Sequence, residues 1–223
     1  MRLCLPGLAV CACAMTPGSA AARDDTQLWT GATLTARLSE HLRLQEDVTV
    51  RFSDRRNGLY EVESNSLLGY AVGKGVTIWA GYTHDPQYAA GRFLVMEQRA
   101  REQVTFDNLL RIAGGTLSGR LRLEQRWRDA QVGTGWRFRP YAKFSLPFHE
   151  GHRTALVLSH ESFVDLNRTG FQISSGEERM RNLIAISTPL TKAVTAEIGY
   201  MNQHGFAPDR TDHAASISLS TAF

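Results

Sequence analysis

Leu117-Ser118-Gly119-Arg120-Leu121-Arg122-Leu123-Glu124-Gln125-Arg126-Trp127-Arg128 is the stretch that decides the fold. From Arg120 onward every second residue is charged: Arg120, Arg122, Glu124, Arg126 and Arg128. The residues between them are mostly apolar: Leu117, Gly119, Leu121, Leu123 and Trp127, with Gln125 the exception. A strand sends successive side chains to opposite faces, so one face of this strand is charged and the other greasy. A charged row facing inward and a greasy row facing lipid is the pattern of a membrane barrel wall.

The same alternation recurs along the chain. Residues 28–38, 42–52, 64–72, 76–84, 95–105, 136–146, 153–163, 179–188, 194–203 and 214–223 all carry it, giving about 11 segments with the opening one. The expected architecture is all-β: a single antiparallel transmembrane β-barrel of about 10–12 strands with a charged lumen. Single-chain bacterial barrels have an even number of strands, so about 10 or about 12 is expected. Residues 107–115 are ambiguous, a short helix or a strand extension. Residues 54–61, 85–92 and 165–178 read as polar loops, and short and long connections alternate. Trp29, Tyr70, Tyr82, Trp127, Trp136 and Tyr200 fall near segment ends, as aromatic girdles do. A secreted two-sheet sandwich would also alternate. Against it stand the length of the segments, the girdle aromatics and the charge of the polar rows.

Bulk composition does not oppose a barrel. Mean hydropathy is -0.25, and no run approaches the roughly 18 apolar residues of a spanning helix. Barrel strands escape that test because their faces average out. Arg2, the short apolar run of residues 3–15 and Ala20-Ala21-Ala22 read as a secretory signal cut after Ala22. The rest, residues 23–223, reads as one barrel domain. A lipoprotein signal ending at Cys11 is the weaker alternative, because Val10 fits poorly before a modified cysteine. Cys4, Cys11 and Cys13 all lie in the signal, so no disulfide or thiolate metal site is expected in the exported chain. The expected location is the outer membrane of a Gram-negative bacterium, with outer-membrane lipid and the assembly machinery as partners. Phe223, terminal and on the apolar parity of the last segment, resembles the C-terminal signal that machinery reads. The chain carries 25 basic and 22 acidic residues without a clustered basic face, which argues against nucleic acid. No cofactor motif or metal-ligand cluster stands out.

Several of these stretches together resemble a known family. Leu121-Arg122-Leu123-Glu124-Gln125-Arg126, the Trp29 strand, Glu97-Gln98-Arg99, His160-Glu161-Ser162-Phe163 and Gly199-Tyr200-Met201 are similar to the uncharacterised bacterial family termed domain of unknown function 2490. The resemblance covers essentially the whole exported chain. It implies an exported β-barrel and supplies no activity, substrate or catalytic residue.

Strand parity puts a charge ladder in the lumen: Glu97, Arg99, Arg101, Arg120, Arg122, Glu124, Arg126, Arg137, Arg139, Glu161, Arg179 and Arg181. The same parity adds Arg37, Arg43, Arg51, Arg128, Lys143 and Arg153, with Asp47 and Glu197 as further carboxylates. On this count basic groups greatly outnumber acidic ones inside, and Glu61 and Asp85 belong to acidic rims. Two readings follow. The lattice plugs a narrow barrel with Arg–Glu contacts, or surplus guanidinium groups line a narrow anion-preferring pore with small anions as ligands. A further reading is a lipid hydrolase. His160 and Ser162 share one strand face, as a nucleophile and its base do. The spacing resembles the His-x-Ser pair that some outer-membrane lipid hydrolases carry on the barrel exterior. Glu161 falls on the opposite face and no third member is evident. A surface-interaction barrel is the remaining class.

Overall fold

A computed structural model describes residues 24–223. The signal reading and its cleavage after Ala22 lie outside the described residues. Eleven strands make up the fold: β1 (Asp25–Arg37), β2 (Leu42–Ser53), β3 (Gly58–Gly73), β4 (Val76–Ala89), β5 (Arg92–Ile112), β6 (Gly115–Arg128), β7 (Gly135–Pro147), β8 (Ala155–Asp165), β9 (Gly176–Pro189), β10 (Val194–Phe206) and β11 (Asp209–Ala222). Each pairs with its chain neighbours in antiparallel register, and β1 closes the ring on β11. With an odd number of strands the first and last run the same way, so that closing pair is parallel. The even count and the purely antiparallel wall are therefore corrected. β1 is a full strand of 13 residues, its start at the opposite end of the barrel from Phe223. These two ends are the N-terminal end and the C-terminal end below.

The seam is continuous. Asp25 to Thr35 pair in step with Asp212 to Ala222. At its foot the Arg37 amide donates to the Phe223 carbonyl (2.8 Å) and the Phe223 amide to the Thr35 carbonyl (3.1 Å).

Several segments read as loops are strand. β3 starts at Gly58, β4 runs to Ala89 and β5 starts at Arg92, leaving Ala90-Gly91 as the turn. β5 continues through residues 107–112 with a register shift between Phe106 and Leu110, which excludes the helix alternative. The alternation of short and long connections largely disappears. Polarity misled here because a barrel wall admits polar residues wherever they face inward, and turn-like composition then mimics a loop.

Outside, the wall is largely apolar, with polar pairs at Glu46–Ser66 and Glu102–Gln125. Leu34, Leu68, Ile78, Leu121, Ile184, Ile198 and Leu219 are exposed on it, with Tyr82, Trp127, Trp136 and Tyr200. The shortest strand has 11 residues, enough for a crossing that takes about 9–11 tilted residues. Trp29 is not part of any girdle. It is 5% exposed and faces the lumen, as does Trp79. Gly69 makes room for the latter, since a Cβ there would sit 2.5 Å from the Trp79 ring.

Candidate functional site: the lumenal lattice

The ladder of β6 faces inward between matching rows. Register sets Arg101, Glu124 and Arg137 in one line across β5, β6 and β7, and Gln103, Arg122 and Arg139 in the next. Glu97 and Glu124 are both fully buried. Glu97 accepts from Arg99 (2.7 Å), Arg126 (2.9 Å) and Arg128 (2.6 Å). Glu124 accepts from Arg137 (2.7 Å) and Arg139 (2.7 Å), with Arg122 at 3.6 Å. Glu161 takes Arg120 (2.5 Å) and the other side of Arg139 (2.9 Å). Arg139 thus bridges two carboxylates, and Glu97 and Glu161 each bond arginines from two strands. Charge-assisted bonds of this kind are the strong ones, and a guanidinium fork suits them.

The lattice extends beyond the residues parity picked out. Glu61, Glu63 and Asp85 are buried in the lumen and are not on acidic rims. Arg51 pairs with Glu61 and Glu63, and Arg99 pairs with Asp85 and lies 3.4 Å from Glu63. Carboxylate oxygens of Glu61, Glu63 and Asp85 lie within 4.8 Å of one another, the spacing of a metal cluster, but these two guanidinium groups already supply counter-charge. Asn65 knits the same layer: it receives Thr83 (2.6 Å) and Arg101 and donates to Asp47 (2.6 Å). Asp25, Asp165 and Asp212 are buried too. Seven arginines and nine carboxylates are buried among the described residues, so the large basic surplus is corrected. It arose from assigning lumenal carboxylates to loops. Two ladder extensions also fail: Arg37 is exposed at a strand end, and Arg153 is exposed in the turn before β8.

Aromatic rings add to the carboxylates at Arg51 and Arg139 and stand in for a salt bridge at Arg181. Phe163 lies under Arg139 (4.2 Å) and Arg181 (4.5 Å), and Trp29 lies under Arg51 (4.3 Å) and Arg181 (4.6 Å). Cation–π contact of this sort stabilises a desolvated guanidinium without a counter-ion. The 166–175 connection folds over one side of the lumen. Its Gln172 accepts from Arg126 (3.1 Å) and donates to the Trp136 carbonyl (3.0 Å), and Phe171 lies under Arg128 (5.2 Å). Nothing in the local pattern marks a loop glutamine as a lumen plug.

Two of the cavities lie in the lumen. One, of about 240 Å³, lies toward the N-terminal end and is lined by Gln27, Arg51, Tyr60, Glu61, Arg128, Arg179, Arg181 and Arg210, among others. Its lining holds eleven arginines and five carboxylates. The other, of about 310 Å³, lies toward the C-terminal end. Arg51, Glu63 and Arg139 line both and therefore stand between them. Arg181, like Arg101, makes no salt bridge within 4.0 Å among the described residues, although Glu161 stands across from it on β8. Arg181 Nε donates to Gln203 (2.7 Å), and its guanidinium also lies over the two rings. Arg179 pairs with its neighbour Glu178 (2.5 Å).

On the outside, His160 and Ser162 share a face and Glu161 turns inward, as parity requires. His160 Nε2 is 3.1 Å from Ser162 Oγ. A third member is present: Asn182, directly across on β9, places Oδ1 2.7 Å from His160 Nδ1. Sequence spacing missed it because the pair forms only once β8 and β9 are in register.

Residues 26–214 match the family described as Protein of unknown function (DUF2490). The chain belongs to this family. An uncharacterized protein of Methylorubrum extorquens is 26% identical over 214 residues, covering 93% of each chain. The crystal structure of the siderophore receptor PirA from Pseudomonas aeruginosa aligns with 84% of this chain at 14% identity and a TM-score of 0.30. This chain covers 35% of that receptor's length.

Proposed function

We propose that this member of the family is an outer-membrane barrel whose lumen is plugged by its own arginine–carboxylate lattice. The observation that carries the reading is the double tie at Glu97 and Glu124, each fully buried and each surrounded by three guanidinium groups. Ions cannot pass such a layer without breaking bonds between buried charges, which is costly once one partner is lost. A largely apolar outer wall, strands long enough to cross, and an outward Phe223 support the membrane location. Location is tested by cell fractionation combined with heat-modifiable gel mobility. A soluble, heat-insensitive protein would remove the membrane reading. The plug is tested separately by planar-bilayer recording of the purified barrel. Silence is expected, and steady single-channel steps would overturn it.

A second reading concerns the cavity toward the N-terminal end. Its excess of arginines, with Arg181 making no salt bridge, favours a blind vestibule that takes small anions. Guanidinium groups on a cavity wall select phosphate and carboxylate by forked hydrogen bonds. Calorimetric titration with inorganic phosphate tests it. Heat from saturable binding is expected, and its absence would remove the vestibule reading.

A further inference from the structure

The outer wall carries a polar constellation that no part of the lumenal reading uses. Ser162, His160 and Asn182 lie in a chain of two hydrogen bonds, 3.1 Å and 2.7 Å. An amide oxygen can only accept, so His160 Nδ1 must carry the proton. Nε2 is then the acceptor, and Ser162 Oγ–H is the donor. That is the protonation state a serine nucleophile needs from its base, and a third group fixes the tautomer.

The surroundings match a lipid substrate. His160 is exposed, and Ser162 and Asn182 are partly so. One outward row toward the C-terminal end stand Leu158 and Ile184, paired across the same two strands. On the other side lie Val164 with Phe138, then Trp136. The triad sits between these apolar rows, and its polar line continues through Asn202 and His213 on β10 and β11. The ladder between β7 and β8 is interrupted at this point: pairs run Phe138↔Val164 and Tyr141↔Glu161, with none between. Pro140, in that gap, has no N–H to give. Polar side chains facing lipid are expensive unless they serve a purpose.

We infer that Ser162, His160 and Asn182 form a serine hydrolase site on the barrel exterior, acting on acyl esters of membrane lipids. The inference rests on the membrane placement and is independent of the plug. Ser162 Oγ attacks the ester carbonyl carbon while its proton passes to His160 Nε2. The carbon–oxygen bond to the glycerol side breaks, and His160 returns the proton to that oxygen, releasing the lysolipid alcohol. Water then attacks the acyl-serine, giving its proton to His160. The serine–acyl bond breaks, free fatty acid leaves, and Ser162 recovers its proton. The net reaction is ester plus water to acid plus alcohol. Ser162 and His160 are the catalytic residues, and Asn182 is a positioning residue that holds the imidazole.

The test uses the full exported barrel reconstituted with phosphatidylethanolamine–phosphatidylglycerol vesicles, with fatty-acid release and labelling by a fluorophosphonate probe as readouts. Wild type should release fatty acid and take the probe. Ser162→Ala should lose both, and His160→Asn should lose release. Heat-modifiable mobility should be unchanged in both, since the hydroxyl and the imidazole face outward. Asn182→Ala should lower kcat at unchanged KM, and Asn182→Asp should restore it, because a carboxylate also accepts from Nδ1–H. A folded wild-type barrel that neither releases fatty acid nor takes the probe would overturn the assignment. So would release that survives Ser162→Ala. A failed membrane placement would show separately, as loss of heat-modifiability in every variant and in wild type.

Discussion

Arg137 stands directly opposite Glu124 on the neighbouring strand and donates to its Oε2 twice, from Nε at 2.9 Å and from Nη2 at 2.7 Å. Arg139, one inward position further along β7, takes the other oxygen. One carboxylate thereby holds two arginines of β7 to β6. Arg122, on Glu124's own strand, stays at 3.6 Å and leans instead on Gln103 (2.9 Å). The dependence is asymmetric. Removing the carboxylate strands several buried cations, whereas removing Arg122 breaks only its bond to Gln103 and a 3.6 Å pair.

Glu124→Gln should therefore destabilise the folded barrel more than Arg122→Gln. Loss of one partner of a buried pair costs about 3–5 kcal/mol. The measurement is the urea midpoint of the heat-modifiable form in detergent. A lower midpoint for Arg122→Gln than for Glu124→Gln would sink the lattice description.

Much of this arrangement is legible in the chain, because the period of two is physical. Arg120 to Arg128 and Trp136 to Leu146 can only sit on a wall with two unlike faces. The lumen's acid content is harder to read. Glu61 and Asp85 sit among Arg55-Arg56-Asn57-Gly58 and Asp85-Pro86, which look like turn chemistry, yet the strands run through them. Trp29 reads as a girdle residue by position, and only its parity with Gln27 and Asp25 shows that it faces inward. Asn182 and Gln172 were out of reach, because their roles depend on a neighbouring strand and on a loop's path. Parity reports facing; it does not report what lies opposite.

Arg181→Gln should weaken phosphate binding in the vestibule by roughly 10-fold to 100-fold, the worth of a charged hydrogen bond of about 1.5–3 kcal/mol. The substitution keeps a polar group and orphans no carboxylate, since Arg181 makes no salt bridge and Glu161 keeps Arg120 and Arg139. Trp29, which touches the same guanidinium at 4.6 Å, offers a fluorescence readout alongside calorimetry. Equal affinity in wild type and variant would place the anion elsewhere or nowhere.

Phe223 has two separable parts. Its backbone closes the foot of the seam through Thr35 and Arg37, and its ring is exposed on the outside. Phe223→Ser keeps the backbone bonds and removes the ring. Deleting Phe223 removes both. If the ring is read during assembly, Phe223→Ser should slow membrane insertion in cells while the urea midpoint of protein folded in detergent stays at the wild-type value. Deletion should lower both the insertion rate and the midpoint. Normal insertion of Phe223→Ser would leave the residue with its seam role alone.

The parallel seam makes the sharpest claim about the fold, because an even-stranded barrel has no such pair. Ala32 of β1 lies in register with Leu219 of β11, and both are exposed on the outer face. The three cysteines of the chain all precede residue 24, so the described barrel offers a clean background. Ala32→Cys with Leu219→Cys should form a disulfide under mild oxidation, seen as a mobility difference between reduced and oxidised samples on a denaturing gel. Cysteines whose Cα atoms lie more than about 7 Å apart cannot join without backbone movement. Were β1 to leave the wall and β2 to close on β11 directly, residue 32 would be carried away from residue 219. Val48, its β2 neighbour, would become the nearer candidate. Val48→Cys with Leu219→Cys is therefore the control. Cross-linking of the Ala32 pair and none of the Val48 pair is the expected result. The reverse would replace the eleven-stranded ring with a ten-stranded one.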